Sequence, residues 1–181
     1  AAVFVHALRP AGMDRLVGPP ALEQVLAFPG EIGLAGASLI TGGTLEAIPG
    51  LRIALSHGGG SLSALLPRLR HGWQRMPPLQ GLLAEDPLYT ARRLFIDDLV
   101  YDTPTLQRLL TLFGGTQVMC GTDYPFTIMD DDPAGSIDAL ALDTGLRTAL
   151  RSGNARRWLG LAGAAHRSEE HTSELQSRYV I

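Results

Sequence analysis

Four short apolar runs, each leading into a chemically active residue, constrain this chain more than any other feature. Ala1–Val5 leads into His6, and Leu51–Leu55 into Ser56-His57. Leu94–Val100 contains Asp97 and Asp98, and Gln117–Cys120 passes through Gly121 to Asp123. Runs of this length and composition are what buried parallel strands show. Helical patterns separate them. Leu22–Phe28 has apolar residues at helical spacing, with Pro29-Gly30 expected to stop it, and Ile32–Ile40 reads as a buried helix ending at Gly42-Gly43. Ser61 is the expected N-cap of a helix through Leu62, Leu65, Leu66 and Leu69, despite Pro67. Thr103-Pro104 reads as an N-cap followed by proline at the first helical position. Leu106, Leu109, Leu110 and Phe113 give that helix its buried face, Gly114-Gly115 end it, and a last helix begins near Asn154. Strands alternating with helices predict parallel β/α units. Four units amount to half of an eight-stranded barrel or most of a small open sheet, and the pattern fits either.

In a parallel sheet His6, His57 and Asp123 fall at the same edge. Two imidazoles and a carboxylate are a donor set suited to Zn²⁺ or a similar divalent ion. One strand-end histidine alone is usually structural; three ligand-type residues at three strand ends point to a metal or acid/base site. Gly58–Gly60 remove side chains where a ligand must approach, but no Gly-Lys-Ser/Thr follows, so this is not a nucleotide P-loop. Cys120 reads as a small buried strand residue without a dedicated base, and Asp130–Asp132 as a solvated loop lacking a calcium ligand ladder. Asp97 and Asp98 are expected to make structural hydrogen bonds, His71 to lie on a helix surface, and Trp73 and Trp158 to fill the core or an interface.

The net charge of −3 over 181 residues, with the arginines scattered, offers no basic stripe for nucleic acid or an anionic membrane. No apolar run is long enough to span a bilayer. A single cysteine precludes an internal disulfide and suggests a reducing, cytoplasmic setting. The chain opens inside an apolar run, and Arg167–Ser177 is polar, without helical or strand period, and similar to a translated sequencing adapter. The expectation is therefore a fragment of a longer enzyme: one partial domain over residues 1–165, and a non-native or disordered tail over 166–181.

Several motifs carry a resemblance. FVH at Phe4–His6, SHGGG at Ser56–Gly60 with LPRLRHGW after it, DDLVYD at Asp97–Asp102 and GTDYPF at Gly121–Phe126 resemble, in order and separation, the amidohydrolase-related decarboxylases. GNARRWLGL at Gly153–Leu161 resembles that family's last helix. The resemblance implies the C-terminal half, strands 5 to 8, of a metal-dependent (β/α)₈ TIM barrel. His6 would be the fifth-strand metal ligand and Asp123 the eighth-strand ligand, with His57 the acid/base acting on water held by the metal. Arg68 would reach a neighbouring subunit's site and bind a substrate carboxylate, implying a homodimer, and Phe126 would flank the substrate. The implied activity is zinc-dependent, non-oxidative decarboxylation of a small unsaturated or aromatic acid; hydrolysis or hydration within the same superfamily, or an inactive fragment, are the alternatives. The family's first-strand His-x-His pair has no counterpart here, so the chain by itself is expected to be inactive.

Overall fold

The computed structural model describes residues 1–161; the expected tail and His171 lie outside the described residues. Strands β1 (Ala2–Val5), β2 (Arg52–Leu55), β3 (Phe95–Asp97) and β4 (Val118–Met119) form one sheet in the order β1-β2-β3-β4, every neighbouring pair parallel. Consecutive parallel strands require a crossover each time, and helices supply it. The main ones are α1 (Phe28–Thr41), α2 (Leu62–Arg75) and α3 (Thr103–Phe113), and α4 (Asn154–Leu159) follows β4. No described helix is long and apolar enough to cross a membrane.

Strand alternation sorts the core. Ile53, Leu55, Ile96 and Val118 join Ile32, Ile40, Leu62, Leu66, Leu106, Leu109 and Phe113 from the helices. Ala54, Phe95 and Met119 project to the other face, where Ala155 and Trp158 pack on them. Of the face expected for α3, Leu106, Leu109 and Phe113 are fully buried and Leu110 only partly.

Three local expectations are corrected. Pro29-Gly30 does not stop a helix. A π-type turn over Glu23–Ala27 runs straight into α1, and Pro29 sits in the first turn of α1. Proline costs little there, because the first-turn N–H groups have no partner within the helix. The cap of α3 is Asp102, one residue before Thr103: its carboxylate accepts from Thr105 N at 2.6 Å. The third and fourth strands are shorter than their apolar runs. Beyond Asp97 the chain turns, with Val100 N donating to Asp98 O at 2.8 Å, and beyond Met119 the Cys120 N–H goes to Leu150 O at 3.0 Å.

Candidate metal centre

The carboxyl edge of the sheet is built by three strand-to-loop turns. After β2, Ser56 is buried and His57 enters the left-handed region at φ 56°, followed by Gly58, Gly59 and Gly60, also at positive φ. What holds this turn is Asp97 at the end of β3. Its carboxylate accepts from His57 N at 3.1 Å, Gly58 N at 2.7 Å and Leu99 N at 3.3 Å. Asp98 fixes the turn after β4, accepting from Gly121 N at 2.8 Å through Oδ1, while its buried Oδ2 has no partner. Both acids therefore make the structural hydrogen bonds expected of them. Burial pushes both up, Asp97 to about 6 and Asp98 to about 7, against the pull of the amides.

These turns bring His6, His57 and Asp123 together, with one ligand atom of each within 4.8 Å of the others. Nε2 of His6 lies 3.4 Å and Nε2 of His57 3.7 Å from the same Asp123 Oδ1. Phe126 stacks on His6, with ring centroids 5.9 Å apart and planes 10° from parallel, and Phe28 meets His6 edge-on at 6.0 Å. Burial holds the His57 ring below its ordinary pKa; the facing Asp123 carboxylate opposes this and His6 adds to it.

The donor set fits a divalent cation, and the hydrogen bonding shows why. Nδ1 of His6 lies 2.8 Å from the carbonyl of Ala7. A carbonyl only accepts, so Nδ1 carries a proton, and Nε2 is the nitrogen that faces the Asp123 carboxylate. With Nδ1 taken by the backbone, Nε2 and the carboxylate at 3.4 Å hold a positive charge between them, a proton or a metal ion. A backbone-fixed imidazole with its other nitrogen free is the arrangement of a metal-ligating histidine.

The remaining site expectations fall elsewhere. Arg68 is exposed on α2 and lines a separate groove of about 460 Å³ with Leu65, Leu69 and Met76, so the structure does not bring it to the three ligand-type residues. Cys120 is half-buried with its thiol pushed up to about 11, chiefly by burial, as suits a packing residue. His71 is exposed on α2, and Trp158 packs edge-on against Phe4 at 5.9 Å. Tyr101 was not legible as a site residue. It lines a cavity of about 240 Å³ with His57 and Asp123, and the only trace in the sequence is its place inside DDLVYD.

Fold and site together define an α/β protein whose parallel strands present a His/His/Asp donor set at their carboxyl ends. The chain belongs to the Amidohydrolase family, whose model matches residues 1–161. It is 34% identical over 164 residues to 2-amino-3-carboxymuconate-6-semialdehyde decarboxylase of Dictyostelium discoideum, covering 89% of this chain and 45% of that protein. Among solved structures it is similar to the IDCase of Metarhizium anisopliae in apo form, with a TM-score of 0.74 and 25% identity over 88% of this chain and 48% of that one. The dihydroxybenzoic acid decarboxylase of Polaromonas sp. JS666, solved with bound manganese and 2-nitroresorcinol, shares the fold at a TM-score of 0.70 and 20% identity, over 87% of this chain and 49% of that one. The chain thus spans less than half the length of the curated relatives it matches.

Proposed function

We propose that this chain supplies strands 5 to 8 of a (β/α)₈ barrel and much of the active site of a divalent-metal-dependent, non-oxidative decarboxylase. Its substrate would be a small aromatic or unsaturated carboxylic acid. The observation that carries the reading is the convergence of His6 Nε2, His57 and Asp123, with Nε2 of His6 3.4 Å from the Asp123 carboxylate. The decarboxylases among its relatives and the manganese in the Polaromonas neighbour support it. Imidazole with carboxylate suits zinc and also accepts manganese; zinc is the ion we propose.

In this reading His6 and Asp123 hold the ion, which when bound supplies a positive charge that polarises a substrate oxygen. His57 is the general acid/base. Its lowered pKa keeps it neutral near pH 7, able to take a proton and return it to the carbon that loses carboxylate. The carbon–carboxylate bond breaks, its electron pair stays on carbon and CO₂ leaves, and the new C–H bond takes a proton that His57 has drawn from solvent water and delivers, one proton being consumed per turnover. No oxidant is required. Phe126, stacked on His6, offers an aromatic face to a flat substrate. Arg68 would bind the substrate carboxylate in the site of a second copy within a homodimer.

Zinc titration of the chain and of Asp123→Asn tests the centre. The variant is expected to bind at least about tenfold more weakly; equal affinity sinks the metal reading. CO₂ release from dihydroxybenzoate and 2-amino-3-carboxymuconate-6-semialdehyde by a zinc-loaded barrel completed with strands 1 to 4 and a first-strand His-x-His pair, compared with hydrolysis of the corresponding esters, tests the reaction class. Turnover of the esters alone would favour a hydrolase.

A further inference from the structure

Among the described residues three non-glycines occupy the left-handed backbone region: His57 at φ 56°, Tyr101 at 62° and Asp123 at 59°. A side chain with a Cβ resists this conformation, and where a bulky residue adopts it the surroundings must enforce it. All three line the same cavity of about 240 Å³. His57 and Asp123 belong to the centre described above. Tyr101 does not, yet its backbone carries the same strain at the same place.

Its hydroxyl shows what the strain supports. The Tyr101 O–H donates to the carbonyl of Ile128 at 2.9 Å. Ile128 lies in the loop 122–130, which closes on itself: Asp130 N donates to Thr122 O at 2.9 Å, Phe126 N to Asp123 O at 3.0 Å and Met129 N to Phe126 O at 3.0 Å. This loop carries both Asp123 and Phe126. Its near end is anchored by the Asp98 carboxylate on Gly121 N. Its far limb is anchored by Tyr101, reaching across from the segment after β3.

We propose that Tyr101 is a positioning residue for Asp123: its hydroxyl pins the 122–130 loop so that the Asp123 carboxylate meets both imidazoles. The inference rests on the metal reading above. Glycine would adopt φ 62° without strain, but it has no hydroxyl to reach Ile128. Tyrosine combines the reach with the strain.

The test is a Co²⁺ titration of the parent chain, Tyr101→Phe and Tyr101→Gly, read by visible absorption, alongside thermal unfolding of the metal-stripped proteins. Tyr101 is half exposed and outside the core clusters, so both variants are expected to keep the parent's far-UV signal. Tyr101→Phe loses only the hydroxyl, and Co²⁺ affinity is expected to fall about tenfold, in the range for residues behind metal ligands, with a changed Co²⁺ spectrum. Tyr101→Gly should lose at least as much affinity while its metal-free unfolding midpoint is not lowered, because the backbone strain is released. Lowered midpoints with the parent's affinity and spectrum would mark Tyr101 as merely structural and overturn the proposal. A parent chain that binds no Co²⁺ overturns the metal reading and this inference together, whereas binding indifferent to Tyr101→Phe removes the inference alone.

Discussion

One carboxylate, Asp97, replaces a missing stretch of secondary structure by collecting three loop amides. Asp97→Ala strands buried N–H groups in the His57 turn and is expected to destabilise by about 3 kcal/mol, measured by urea unfolding; a loss under about 0.5 kcal/mol would mean water replaces it at no cost. The raised Cys120 pKa makes a second prediction. With its thiol near 11, Cys120 in the folded protein should react with iodoacetamide at pH 8 far more slowly than in urea, and equal rates would contradict the burial. At this scale His6, His57 and Asp123 were legible because ligand-type residues at strand ends announce themselves. Tyr101 was not, because a tyrosine in the left-handed region is indistinguishable in sequence from any other. Phe126 was legible only through the motif that contains it, since stacking on His6 depends on the fold of its loop.

Among the elements, α1 and the turn after β2 approach so closely that side chains are excluded. A Cβ on Gly60, at φ 56°, would meet the carbonyl oxygen of Pro29 at 2.0 Å, and one on Gly33 would lie 2.8 Å from Leu62 N. Gly60→Ala is therefore expected to cost more than about 3 kcal/mol, because strained backbone and a backbone collision add; chemical denaturation checks it. Asp102→Ala removes the side-chain cap of α3 and should lower the unfolding midpoint, a loss that Asp102→Asn should largely restore. The order of strands and helices was legible because apolar period and glycine breaks are local signals. Pro29 and the ends of β3 and β4 misled because nonlocal partners settle them: a π-type turn absorbs the proline, and carboxylates on Asp97 and Asp98 take the amides that a longer ladder would have used.

Across the whole molecule, stability should depend on pH through Asp98. Its pKa is raised to about 7, first by burial and further by Asp97 and Asp130, against about 3.9 in an unfolded chain. Between those values the native protein holds a proton that the unfolded chain has released. The contribution is complete below about pH 4 and is lost as pH rises through about 7. The metal-stripped protein should thus unfold at lower urea concentration at pH 8 than at pH 5, and Asp98→Asn should reduce that slope to the share left by Asp97, which is raised to about 6. A parent midpoint that rises over this range would refute the protonated state.

His6 and Asp123 are 117 positions apart and meet across a sheet whose strands run in simple succession. In an unfolded polymer, bringing two such sites together costs about 4 kcal/mol of configurational entropy at (3/2)RT ln n. The folded sheet has already met that cost through its own packing, so in the proposed metal reading an arriving cation would find its donors preassembled, roughly a thousandfold more favourably than on the loose chain. Affinity for that ion would therefore gauge the integrity of every turn between the first strand and the last. Loosening any of them, however remote from the three donors, would register as weaker cation binding.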